Sequence, residues 1–184
     1  MTLYLAGKSK EGTIVVASDS RVFNDTRINT FADNLSKITP LEKDLLSCSS
    51  NLGCLTDLID IEVKNAYRAA SFITSYNLGY TTLSQIERGG LPNLQRAIRG
   101  IPKKVKQSYD GAIYGECHFF AVQGSTPLSC RVRVNEDESI EIDYTDSGMK
   151  FPYRSGGVAD SVNLKILESI VEDGPILRAT YLKA

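Results

Sequence analysis

The spacing of apolar residues changes near Leu55 and changes back near Cys117, which limits the folds open to this chain. Before Leu55, apolar residues alternate or run in short bursts, as strands do, within TLYLAGKSKEGTIVVASDS and LSKITPLEKDLLSCSS. Short bursts of the same kind return between residues 117 and 157. Strands grouped on either side of helices, rather than alternating with them, favour antiparallel sheets covered by helix layers. The sequence therefore predicts an α+β fold.

The N-terminal block predicts two hairpins. TLYLAG and TIVVAS are strand-like, and the polar turn KSKEG joins them, with Gly12 supplying the conformational freedom. The second hairpin is expected to turn near PLEKD. Residues 21–34, between the two hairpins, are predicted to form a polar loop. After Cys117, two or three further strands are expected.

Helical periodicity occupies the middle of the chain and returns near its end. Apolar residues recur at three- and four-residue steps from Leu55 and predict a helix that runs to about Tyr76. A second helix is predicted to start at Pro92, in PNLQRAIRG, and Pro102 should end or kink it. A third amphipathic helix is predicted in VADSVNLKILESIVED.

The bulk composition narrows the class of protein. The 184 residues fit a single domain, 1–184, that is large enough to bury a core. Lys and Arg number 21 against 22 Asp and Glu, so no electrostatic argument favours nucleic acid or an anionic membrane as a partner. No apolar run approaches the ~18–20 residues of a membrane span, and the N-terminus does not resemble a secretory signal. We therefore expect a cytoplasmic protein.

The cysteines and the single histidine exclude several kinds of chemistry. The spacings of Cys48, Cys54, Cys117 and Cys130 match no zinc-ligand pair, so free and mostly buried thiols are expected. His118 lies in a strand-like run and is interpreted as structural. A Ser-His-Asp or Cys-His mechanism would depend on that one residue. We therefore expect chemistry that uses neither histidine nor a metal.

Thr2 stands directly behind Met1, at the head of the first predicted strand. Removal of Met1 would give Thr2 a free α-amine, whose pKa of about 7.7–8.0 lets it act as the base for its own hydroxyl. Because the second strand pairs back along the first, Asp19 at its far end is expected near Thr2. Lys37 could add a positive charge at the same corner. Taken singly, Asp19 and Lys37 fit an exposed ion pair better than a catalytic site.

Several segments together resemble the proteasome β-subunit family of N-terminal-nucleophile hydrolases, which includes a bacterial heat-shock peptidase. They are TLYLAGKSKEGTIVVASDSR, NLSKI, SSNLG and RSGG. The resemblance extends from Thr2 to about Asp173 and is strongest in the first 57 residues. It implies a four-layer αββα sandwich of two antiparallel sheets flanked by helices.

The resemblance also assigns roles to individual residues. Thr2 matches the N-terminal nucleophile of the family, Asp19 its acidic residue after the second strand, and Lys37 its active-site lysine. Ser155, in RSGG, matches a hydroxyl that hydrogen-bonds near the terminal amine.

Two features of the sequence differ from the family pattern. The family usually has glycine in the turn that forms the oxyanion hole, where this chain offers the backbone N–H of Ser50 or Asn51. Of the 184 residues, 29 follow Ser155, so the C-terminal part is shorter than is usual in the family, and we find no match there for a further Asp and Ser of its active site.

These matches imply a threonine-type peptidase that cleaves peptide or unfolded-protein substrates through an acyl-enzyme and needs no cofactor. They also imply a closed homo-oligomeric ring, with an ATPase as a further partner to consider. Two alternatives stay open. A peptide ligase would use the same Thr2 acyl-enzyme, and a non-catalytic member would retain Met1 and serve as a scaffold or binding subunit.

Overall fold

The computed structural model describes residues 3–8, 14–18, 22–25, 30–32, 37–70, 82–83, 92–123, 126–145 and 153–157. Within these ranges the chain forms an α+β arrangement. The strands are β1 (Leu3–Lys8), β2 (Ile14–Ser18), β3 (Val22–Asp25), β4 (Thr30–Ala32), β5 (Ile38–Glu42), β6 (Leu45–Asn51), β7 (Gly115–Gln123), β8 (Thr126–Val134), β9 (Ile140–Thr145) and β10 (Tyr153–Gly157). The helices are α1 (Gly53–Ala70) and α2 (Pro92–Lys106).

Strands β1, β2 and β10 form an antiparallel three-stranded sheet with β1 in the centre. Tyr4 pairs with Ser18 on one side and with Gly156 on the other. This register confirms the first predicted hairpin, in which β2 returns along β1. The sheet also brings a strand from late in the sequence alongside the first one.

Strands β3 and β4 form a small antiparallel hairpin within residues 21–34, which were predicted to be a polar loop. Val22 pairs with Ala32, and Phe23 pairs with Phe31. The loop prediction is wrong because Val22, Phe23 and Phe31 are β-branched or aromatic residues, which favour paired strands even when polar residues separate them.

Strands β5 to β9 form a five-stranded antiparallel sheet in chain order. The second predicted hairpin is confirmed, since β5 and β6 pair and are joined by a turn at Lys43 and Asp44. The described part of the chain around and after Cys117 forms four strands, where two or three were predicted. Strands β7, β8 and β9 belong to this sheet, and β10 belongs to the three-stranded sheet. Strands β6, β7 and β8 pair without a register shift, so alternation along each strand fixes which residues share a face.

The two described helices follow the predicted periodicity with one correction. Helix α1 confirms the helix predicted from Leu55, and residues 71–76 of that prediction lie outside the described residues. Helix α2 continues through Pro102 to Lys106, so of the two outcomes expected at Pro102, an end or a kink, the end is wrong. Pro102 is buried, and burial of its ring offsets the one helical hydrogen bond that proline cannot donate. Neither α1 nor α2 is long and apolar enough to cross a membrane.

Helices α1 and α2 cover one side of the five-stranded sheet, which we name the helix-side face. Its buried sheet residues are Leu45, Cys117, Phe119, Ala121, Cys130, Val132 and Val134. They share one core with Leu55, Ile59 and Val63 of α1 and with Leu94, Ile98, Ile101 and Val105 of α2. Most of the buried apolar residues that the structure describes belong to this cluster. Because full burial of each large side chain contributes roughly 1.5–3 kcal/mol, this layer supplies most of the described hydrophobic stabilisation.

The opposite side of the sheet, which we name the inter-sheet face, packs against the three-stranded sheet. Its residues on the central strands are Leu46, Cys48 and Ser50 of β6, Glu116, His118 and Phe120 of β7, and Arg131 and Arg133 of β8. Val16 of β2 packs here on a cluster of Ile38, Leu46, Cys48 and Phe120. Two antiparallel sheets are therefore in contact, with helices on the far side of the larger one.

The predicted third helix, residues 158–173, lies outside the described residues. The full four-layer αββα sandwich therefore stays a prediction.

Candidate functional site

The head of β1 is flanked by the ends of two other strands. Leu3 pairs with Gly157, and Leu5 pairs with both Ala17 and Ser155. Ser155, one of the predicted site residues, is thus on the strand next to β1. Thr2 and Asp19 lie outside the described residues, which begin at Leu3 and, in β2, end at Ser18.

Lys37 lies directly before β5 and is only 7% exposed. Its backbone carbonyl accepts a hydrogen bond from the Ser49 N–H at 3.2 Å, so it lies beside the C-terminal end of β6. Lysine is almost never buried to this extent without a partner for its charge. The burial of Lys37 therefore argues against the exposed ion pair that the sequence alone favoured.

The last two residues of β6, Leu52 and the first residue of α1 (Ser50–Gly53) form what we name the strand-to-helix turn. Asn51 has a φ of 72°, which is the left-handed conformation that asparagine tolerates better than most residues. The Leu52 N–H donates to the Tyr114 carbonyl at 3.4 Å, and α1 begins at the next residue. Ser50 is 5% exposed, and its Oγ has no hydrogen-bond partner in the part of the chain that the structure describes.

Gly115, at the start of β7, lets α1 and the turn approach this strand closely. A Cβ at Gly115 would lie 3.1 Å from Leu55 Cδ2 and 3.4 Å from the Ser50 carbonyl oxygen. Gly115 also pairs directly with Asn51. The shape of the turn is therefore set by β7 as well as by the residues of the turn itself.

The structure thus brings three predicted site residues, Lys37, Ser50 and Asn51, to one end of the five-stranded sheet. Ser155 is placed in the neighbouring sheet. Val16 of β2 packs on the cluster that includes Ile38, the residue that follows Lys37. The two sheets are therefore in contact close to Lys37 in the sequence.

A charged pair that the sequence did not predict lies in the same row of the inter-sheet face as Ser50. Glu116 is directly opposite Ser50, is 4% exposed and accepts hydrogen bonds at Oε2 from Arg133 Nε (3.0 Å) and Nη2 (2.8 Å). The available signal was the period-two placement of charges in GECHF and CRVRV. That signal identifies a shared face only after the register of β7 and β8 is known.

His118 lies in the next row of the inter-sheet face. It is 2% exposed, and its ring is stacked on Phe120 with centroids 4.4 Å apart. This environment fits the structural role expected for it.

A second buried polar group lies on the helix-side face. Ser47 Oγ donates to Asp60 Oδ1 at 2.7 Å, and Cys117 Sγ lies 3.6 Å from the Thr56 carbonyl oxygen that accepts its hydrogen bond. Burial, with a smaller contribution from the charge of Asp57, raises the pKa of Asp60 to about 6 against the opposing hydrogen bond from Ser47. Burial also raises the pKa of the Cys117 thiol.

The four cysteines are free thiols, three of them buried and Cys54 exposed, as the sequence predicted. Within the described ranges, no three His, Cys, Asp or Glu side chains are grouped as metal ligands would be.

The likeness of this chain to known proteins is weak. No protein family matches the sequence, and no curated protein matches it. Among solved structures, the chain is similar to the Anbu (Gly-1) mutant from Hyphomicrobium sp. strain MC1, with a TM-score of 0.42 and 19% sequence identity. The match covers 85% of this chain and 60% of that one. A likeness of this size determines neither the fold nor the chemistry.

Proposed function

We propose that this chain is a proteasome-like N-terminal-nucleophile hydrolase, a threonine peptidase whose nucleophile is Thr2. The observation that carries the proposal is the burial of Lys37 beside the strand-to-helix turn. An acyl-transfer site needs positive charge near backbone N–H donors. The buried Lys37 meets this need in the proposal, because its backbone is hydrogen-bonded to Ser49, one residue before the turn.

The proposed chemistry begins with removal of Met1. The Thr2 hydroxyl then attacks a peptide carbonyl while the Thr2 α-amine takes the hydroxyl proton, directly or through water. Collapse of the tetrahedral intermediate breaks the peptide C–N bond, and the departing amine receives that proton. Water then hydrolyses the resulting ester and restores the Thr2 hydroxyl.

The other candidate residues support this sequence of steps. Lys37 supplies positive charge beside the hydroxyl, Asp19 orients Lys37, and Ser155 hydrogen-bonds near the amine. A backbone N–H of the strand-to-helix turn stabilises the oxyanion, a contribution of roughly 3–4 kcal/mol. The φ of 72° at Asn51 is a conformation that glycine adopts freely, so we match Asn51 rather than Ser50 to the glycine of the family.

The same proposal includes the four-layer αββα sandwich, a homo-oligomeric ring, a cytoplasmic location and peptide or unfolded-protein substrates. The contact between two antiparallel sheets around Val16 and the helices over one of them support the sandwich.

The test is the intact mass of the purified protein before and after incubation with a threonine-reactive epoxyketone. We expect loss of one methionine and a single adduct, with no adduct on Thr2→Ala. Adding an amine-bearing peptide during substrate turnover separates hydrolysis from ligation. A retained methionine with no adduct would reject the peptidase and favour a scaffold or binding subunit.

A further inference from the structure

A hydrogen bond joins β6 to α1, and the strand-to-helix turn lies between the two bonded residues in the sequence. Ser47 Oγ donates to Asp60 Oδ1 at 2.7 Å, and both residues are buried. They are 13 positions apart in sequence, with the whole turn between them. This bond therefore links α1 to β6 across the turn.

A second set of contacts holds the start of α1 against β7. The Cys117 thiol donates to the Thr56 carbonyl, and the absence of a side chain at Gly115 admits Leu55. The beginning of α1 is thus fixed to β7, and the next turn of the helix is fixed to β6 through Asp60. A shift of Asp60 relative to Ser47 would rotate α1 about its start and move the adjoining turn.

We infer that Asp60 is a positioning residue whose hydrogen bond with Ser47 sets the backbone of Ser50 and Asn51, and that ionisation of Asp60 alters that backbone. The catalytic meaning of this inference rests on the proposed function, in which Ser50 and Asn51 are the candidate oxyanion donors. The structural coupling between Asp60 and the turn does not rest on it.

The surroundings of Asp60 place its ionisation near neutral pH. The titratable groups that act on it are Asp57, on its own helix, and the Cys117 thiol, from β7. Helix α2 faces α1 with apolar residues, and β5 contributes Leu41 to the same core. No cation among the described residues offsets the burial of the carboxylate, which is why the pKa of Asp60 is raised to about 6.

Ionisation therefore creates a conflict between two interactions. The carboxylate accepts a stronger hydrogen bond from Ser47, but it is also stabilised by water, and at 9% exposure the site gives it little. Movement of α1 outward from β6 at this point would give the carboxylate more water. The strand-to-helix turn is consequently held more firmly below pH 6 than above it.

The test is an NMR titration of the full chain from pH 4.5 to pH 8. It follows the side-chain carboxyl of Asp60 together with the backbone amides of Ser50, Asn51 and Leu52. We expect the amides to shift with the same midpoint as the Asp60 carboxyl. This readout does not use peptidase activity, so its failure is distinguishable from failure of the proposed function.

Two variants and one control complete the experiment. Asp60→Asn should abolish the titration of the three amides, and Ser47→Ala should shrink it while the Asp60 carboxyl still titrates. Asp57→Asn removes an exposed acid from the same helix and should keep the amide titration, with its midpoint lowered together with that of the Asp60 carboxyl because the charge of Asp57 is lost. Amides that stay constant while Asp60 titrates, or that titrate equally in Asp60→Asn, would overturn the inference. If the wild-type chain cleaves peptides, its pH–rate profile should lose the step near pH 6 in Asp60→Asn.

Discussion

The two faces of the five-stranded sheet use buried polar groups in opposite ways. On the helix-side face, a continuous apolar core encloses one isolated carboxyl, Asp60, with a hydroxyl and a thiol as its partners. On the inter-sheet face, Glu116 and Arg133 form an ion pair, and Glu116 lies directly opposite Ser50. On the first face, the cost of burying a carboxylate without a cation raises the pKa of Asp60. On the second, a guanidinium offsets the charge of the buried carboxylate.

The largest effect on folding is expected from the helix-side core. Phe119→Ala would leave a cavity in a fully buried position and should lower the free energy of unfolding by about 3–5 kcal/mol. Urea denaturation followed by circular dichroism measures it. Tyr114→Ala is the matched control, because that aromatic side chain is 42% exposed and its loss should cost under about 0.5 kcal/mol. Equal losses in both variants would contradict the described core.

The second prediction concerns the pH dependence that Asp60 imposes. Its pKa is raised from 3.8 to about 6 in the folded state, so the folded chain binds a proton more tightly than the unfolded chain. This contribution to stability is present in full below pH 4 and is lost as pH rises through 6, a change of about 3 kcal/mol. Urea midpoints between pH 4 and 8 should therefore fall for the wild type more steeply than for Asp60→Asn. Parallel curves for the two proteins would contradict the raised pKa.

A third prediction concerns the ion pair between Glu116 and Arg133 on the inter-sheet face. Arg133→Met removes the guanidinium from buried Glu116 and should destabilise the fold by about 1–3 kcal/mol. The double variant Arg133→Met/Glu116→Gln should recover part of the loss, because it no longer buries that carboxylate. Urea denaturation of the single and double variants gives the coupling between the two residues. A purely additive result would show that the pair contributes nothing as a pair.

The last prediction separates an effect on chemistry from an effect on folding. Lys37→Met keeps the apolar stem but removes a buried charge, so the group paired with that charge loses its partner and the free energy of unfolding should fall by about 1–3 kcal/mol. If the chain is a peptidase, its kcat should fall by about 10²–10³. Peptide cleavage assays and urea denaturation should be run on the same sample, with exposed Lys103→Met as the control. Retained activity in Lys37→Met would remove Lys37 from the proposed mechanism.

The elements with strong local patterns could be predicted from the sequence. The first two hairpins and the helix after Leu55 follow directly from period-two and period-3.6 spacing. The β3–β4 hairpin was missed because its strands are too short to show a period. That α2 does not end at Pro102 could not be predicted, because the burial of its ring depends on packing, which local sequence does not encode.

The roles assigned to the candidate site residues stay predictions. Lys37, Ser50 and Asn51 were proposed from short segments, and they lie at one end of the five-stranded sheet. The Glu116–Arg133 and Ser47–Asp60 pairs were not predicted, because each depends on register or packing between distant segments. In α1, Asp60 directly follows Ile59 of the apolar stripe, and spacing alone does not say whether such a residue is buried.

The close approach at Gly115 has a consequence for the order in which this protein folds. The strand-to-helix turn reaches its described shape through pairing of Asn51 with Gly115 and through the bond from Leu52 to Tyr114, contacts that are distant in sequence. Non-local contacts of this kind form late, after the entropy of closing a long segment has been overcome. A nascent chain that has left the ribosome only as far as α2 would contain Lys37, Ser50 and Asn51, but not the geometry that relates them. The candidate site would then be completed only when β7 joins the sheet, which delays any reactivity until the core has closed.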